Sequence, residues 1–149
     1  MVAQVTPVDW TPEEYASFGL VPQVARHGYH EREMFAPERL IALIDAHPRR
    51  RLQAFTMGED PTRRDDWGPV DIPPGLSGAE LWRAVESGRL WLNVTQVEKH
   101  HPEYAELIGG MYAHLDARCP HLGGPRPNYS TLLISSPGAQ VYYHLDAEP

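Results

Sequence analysis

Cysteine is almost missing from this chain: Cys119 stands alone among 149 residues. A single thiol excludes an internal disulfide and fits a reducing, cytoplasmic setting. No stretch approaches the roughly 20 apolar residues that a membrane helix needs. The opening "MVAQVTPVDW" has neither a basic start nor an apolar run, so no secretory leader is expected. Positive charge is also scarce, with a net charge of −7. Proteins that grip a phosphate backbone usually present a basic face. The expected partner is therefore a protein or small-molecule substrate, with no nucleic acid and no membrane. The dense basic run Arg49-Arg50-Arg51, with Arg63-Arg64 nearby, reads as solvated surface. Internal repeats, a Gly-rich phosphate loop and a Gly-x-Ser-x-Gly elbow are all absent.

What is present suits one globular domain over residues 1–149, with 42% hydrophobic residues. The 15 prolines and 12 glycines are spread along the chain and predict many turns. Residues 1–36 read as an irregular arm with one short helix, started by Thr11-Pro12-Glu13-Glu14. A second helix starts near Pro37, buries Leu40, Ile41, Leu43 and Ile44, and ends at Pro48. "RLQAFTM" alternates as a strand, with Leu52, Ala54 and Thr56 on one face and Gln53, Phe55 and Met57 on the other. "GEDPTRRDDWGPVDIPPG" is too rich in Pro, Gly and charge to be regular, and reads as a long loop.

Ser77 and Glu80 form a capping box for a helix that turns Leu81, Trp82 and Val85 inward and stops at Gly88. "RLWLNV" follows as a strand. Pro102 opens the longest helix, whose stripe of Tyr104, Leu107, Ile108, Met111 and Leu115 predicts a buried face. Gly109-Gly110 weaken that helix by about 1 kcal/mol each unless close packing needs them. "YSTLLIS" and "QVYYHLD" complete the chain as strands around a Pro137-Gly138 turn. The tryptophans read as core, except Trp67, whose polar loop suits a lid.

His-Leu-Asp occurs twice, at residues 114–116 and 144–146. Residues two apart on a helix point away from each other, so His114 and Asp116 read as helix surface. On a strand they share a face, so His144 and Asp146 project together. An imidazole and a carboxylate so placed are two corners of a 2-His-1-carboxylate Fe(II) site. The bare tripeptide reads equally well as a strand-end surface pair. Three further groups carry less. His27 and His30 fall in an exposed loop, His100-His101 precede a helix start, and Cys119-Pro120-His121 lacks an oxyanion-hole signature.

"STLLISSPGAQVYYHLD" resembles the entry into the double-stranded β-helix of cupin-like, JmjC-type oxygenases that depend on Fe(II) and 2-oxoglutarate. The likeness lies in the order of apolar strand, Ser-Ser-Pro turn and strand ending in His-x-Asp. It implies an α+β fold whose helical N-terminal region leads into the first strands of a jelly roll. It implies His144 and Asp146 as metal ligands, with Val141 at the co-substrate where the family carries Thr; Tyr142 or Tyr143 is the expected source of a hydroxyl instead. The implied activity is hydroxylation coupled to decarboxylation of 2-oxoglutarate. The family's distal His ligand and its basic 2-oxoglutarate anchor lie downstream of His-x-Asp. The chain is thus expected to be a fragment, the N-terminal part of a longer oxygenase. Alone it is expected to be inactive, and poorly soluble or a homo-oligomer through its uncovered edge strand. The alternative is a non-catalytic cupin-type binding or interaction module.

Overall fold

The structure, a computed structural model, describes residues 8–60, 62–123 and 129–141. The chain enters through the short helix α1 (Pro12–Ser17). Thr11 caps it as expected: its hydroxyl accepts from the Glu14 amide, and the Glu14 carboxylate accepts from the Thr11 amide at 2.7 Å. Two single 3₁₀ turns, Tyr29–Glu31 and Glu33–Phe35, lead to α2 (Pro37–Ala46). Leu40, Leu43 and Ile44 are buried there, whereas Ile41 is only half-buried.

Strand β1 (Leu52–Thr56) follows, and after it the short edge strand β2 (Pro69–Val70). Sequence alternation predicts no strand within residues 58–75. The structure places β2 there, pairing Val70 with Ala54 and Pro69 with Phe55. Proline is tolerated because β2 is an edge strand and Pro69 is its first residue. The alternation of β1 also fails at its end. Thr56 is exposed and Met57 is buried, because the strand stops at Thr56 and Met57 turns inward.

Helix α3 (Gly78–Ser87) begins in the expected capping box and ends at Gly88. Strand β3 (Leu90–Thr95) runs between β1 and the last strand, β4 (Thr131–Ser135). Between β3 and β4 lie the short helix α4 (Val97–His100) and the long α5 (Pro102–Arg118). Among the described residues, four strands make one antiparallel sheet in the order β2-β1-β3-β4. Helices and an open antiparallel sheet bear out the α+β class. The strand expected at residues 140–146 lies largely outside the described residues.

One face of this sheet is the core. Leu52, Ala54, Leu92, Val94 and Ile134 meet Leu43 and Ile44 of α2, Leu81 and Val85 of α3, and Tyr104 of α5. Burying each large side chain contributes about 1.5–3 kcal/mol. Tyr104 is the part of α5 buried in this core, with Ile108 of the next turn packed against it. Tyr104 is 3% exposed, whereas Leu107, Ile108, Met111 and Leu115 are half-buried, so the expected buried stripe is only half covered. Gly109 and Gly110 have open space around them, so close packing does not explain them.

Candidate functional site

The other face of the sheet carries a cleft. Residues opposite one another in an antiparallel pair share a face. Phe55 lies opposite Trp91, and Gln53 opposite Asn93, which in turn faces Leu133. None of these five is buried, and Leu133 is 52% exposed. Beside them lie residues 58–60 and 62–68, which are organised rather than irregular. The Thr56 amide donates to the Gly68 carbonyl at 2.8 Å, and the Thr56 hydroxyl accepts from the Gly68 amide at 3.1 Å. Arg64–Asp66 form a 3₁₀ turn, with the Trp67 amide donating to the Arg64 carbonyl. Gly58 lets the segment return closely, since a Cβ there would sit 2.6 Å from the Cβ of Asp66.

The cleft, open on one side, measures about 320 Å³. Phe55, Trp91 and Asn93 form its floor, and Arg64 and Trp67 to Pro69 form one wall. Val141 lines it from the chain that leaves β4. Trp91 therefore corrects its reading as core: strand alternation turns it to the open face, opposite Phe55. Trp67 lines the cleft from the loop between β1 and β2. Among the described residues Arg64 makes no ion pair, while Asp66 is held by Arg63 at 3.4 Å.

Of the residues singled out in the sequence, Val141 lies in this cleft and is 43% exposed. Tyr142, His144 and Asp146 fall outside the described residues. Among the described residues, no group of three His, Cys, Asp or Glu is arranged to hold a metal ion.

The helical copy of His-Leu-Asp has a structural task that its surface reading misses. The Arg118 guanidinium, which can only donate, lies 3.2 Å from His114 Nδ1. The proton of His114 is then on Nε2, which donates to the Tyr15 hydroxyl at 2.6 Å. Burial, aided by Arg118, pushes the His114 titration down. Cys119 and His121 serve the same arm. The buried Cys119 thiol donates to the Tyr15 carbonyl at 3.4 Å, and His121 Nε2 lies 2.9 Å from the Phe18 carbonyl. Burial pushes the thiol titration up, away from a reactive thiolate. His27 and His30 are exposed, as the sequence suggests.

His47 carried no sequence signal of its own. It is 4% exposed and pairs with His101, 8% exposed, at the junction of α2, β3 and α5. Its position just beyond a helix C-terminus was the available clue.

The fold and the cleft together define an α+β protein with one sheet face given to the core and a cleft on the other. Protein-family models, curated proteins and solved structures all give no match to this chain. Among the described residues no helix is long and apolar enough to cross a membrane.

Proposed function

We propose that this chain builds one sheet of a cupin-like, JmjC-type oxygenase dependent on Fe(II) and 2-oxoglutarate. In this reading the open sheet face is the inner wall of a jelly-roll barrel. The cleft on that face carries the proposal, because Val141 lines it and stands three residues before His144. His144 and Asp146, at alternate positions, would hold the metal through an imidazole and a carboxylate. Metal and 2-oxoglutarate, when bound, supply the oxidising power for hydroxylating a C–H bond with O₂. The protein's own residues bind and shield the substrate. Phe55, Trp67 and Trp91 exclude water from the cleft, Asn93 offers an amide, and Arg64 places a positive charge at the rim.

A non-catalytic cupin-type binding module is the second reading. Val141 favours it, since an isopropyl group offers a co-substrate no hydroxyl.

Calorimetric titration with Mn(II), in place of air-sensitive Fe(II), separates the two. The oxygenase reading expects binding that His144→Ala and Asp146→Ala each weaken about tenfold or more. Unchanged titration curves in both variants would remove the metal site and leave the binding module.

A further inference from the structure

We propose that the cleft on the open sheet face binds a planar aromatic acid, with no metal required. The inference rests on reading that face as the binding face, and not on His144 or Asp146.

The shape argument comes first. Phe55 and Trp91 are cross-strand partners on the floor, and Trp67 stands in the wall beside them. Flat walls of this kind favour a flat guest. A cavity of about 320 Å³ is at the small end for a ligand site and suits a single substituted ring.

The polar groups then select the substituents. Trp91 Nε1 and Asn93 Oδ1 are shielded from water and have no hydrogen-bond partner. Both atoms are covered while the cleft is empty, so a guest that draws them toward itself by side-chain rotation recovers the cost of leaving them unpaired. Arg64 is exposed and, among the described residues, in no ion pair, because Asp66 is taken by Arg63. A guanidinium and an indole N–H are both donors, and together they match a carboxylate. The Asn93 oxygen asks for an O–H or N–H on the ring. Arg64 at the rim disfavours a cationic guest.

The probe is 4-hydroxybenzoate, compared with neutral 4-hydroxybenzamide and cationic tyramine. Binding is read by tryptophan fluorescence and calorimetry in the presence of EDTA. The acid is expected to bind about tenfold more tightly than the amide, as a charge-assisted hydrogen bond provides. Arg64→Gln should erase that preference, bringing the acid down to the affinity of the amide. Trp91→Phe should weaken acid and amide alike. Equal affinity for acid and amide, tightest binding of tyramine, or no binding of any probe would each overturn the proposal. So would sedimentation showing a dimer that Leu133→Asp dissociates and that binds no probe, since a second copy would then be the occupant. A negative Mn(II) titration alongside acid binding would sink the oxygenase reading alone.

Discussion

Nδ1 of His47 lies 3.1 Å from Nε2 of His101, both rings buried. Their partners assign the protons. His47 Nε2 lies 3.1 Å from the Thr95 carbonyl, which can only accept, so that nitrogen carries the hydrogen. His47 Nδ1 is then a lone pair, and His101 donates to it. Both rings are neutral. Burial is the main cause that lowers both titrations, opposed by the Thr95 carbonyl at His47 and by Glu103 at His101. His100 lowers both further, and Arg51 lowers His47.

The pH dependence follows from that direction. The unfolded chain takes up these protons near pH 6.5, and the folded chain only at lower pH. The stability they contribute is complete above about pH 6.5 and is lost as pH falls through the folded values. Calorimetric melting temperatures should be flat from pH 8 to 7 and drop below about pH 6.5. His47→Gln should reduce that slope, leaving the part from His101 and His114, whose titrations are lowered in the same direction. A slope unchanged in His47→Gln would place its origin elsewhere.

Tyr15 is the point where the N-terminal arm is held. Its hydroxyl accepts from His114 and faces the Val8 carbonyl at 3.4 Å. Tyr15→Phe keeps the ring against Trp10, whose centroid is 5.3 Å away, and removes only the polar tie. The loss should be about 0.5–1.5 kcal/mol, confined to arm docking. Hydrogen exchange of the amides in residues 12–23 should quicken while those of β3 stay protected. Equal acceleration in both would mean that the arm and the sheet unfold as one unit.

The parts of the fold legible in the sequence are those set by local chemistry. Thr11 and Ser77 announce their helices because each capping box closes within four residues. Pro37 and Pro102 mark helix starts for the same reason. What stayed hidden depends on distant partners. β2 is two residues long and exists only because β1 offers it an edge. α4 starts at Gln96, whose φ of 58° no pattern of apolar residues announces. Trp91 looked like core because alternation says which residues share a face but not which face the helices cover. Val141 was named from the family likeness, and only the path of the chain after β4 brings it to the same cleft as Trp91.

Gly78 sits where α3 crosses α2. A Cβ there would lie 2.4 Å from the Ile41 carbonyl and 3.0 Å from the Asp45 carboxyl carbon. The Gly78 amide also donates to the Asp45 carboxylate. Gly78→Ala must push the two helices apart, at a cost of about 1–3 kcal/mol despite alanine's better helix propensity. Gly109→Ala, in open space on α5, should instead stabilise by up to about 1 kcal/mol. Urea unfolding of the two variants should therefore shift in opposite directions.

Ser136 belongs to the Ser-Ser-Pro turn that carries part of the family likeness, yet in this structure it acts as a fastener. It is 3% exposed. Its hydroxyl accepts from the Leu90 amide at 2.9 Å and donates to the Val85 carbonyl, so it ties the end of α3 to the start of β3. Its amide donates to the Leu90 carbonyl at 3.0 Å, extending the β3–β4 pairing by one residue. Ser136→Ala keeps that amide bond but strips the partner from a buried N–H. The penalty is the desolvation cost of the orphaned groups, about 1–3 kcal/mol, and not merely the net worth of a hydrogen bond. For a chain of this size the melting temperature should fall by about 3–10 °C. Ser135→Ala is the control: Ser135 is exposed on the open face, and its loss should change stability by less than about 0.5 kcal/mol. If both variants melt together, the Ser136 hydroxyl does not hold this corner. If only Ser136→Ala falls, the turn next to the cleft is anchored through the core face, by its bonds to Leu90 and Val85.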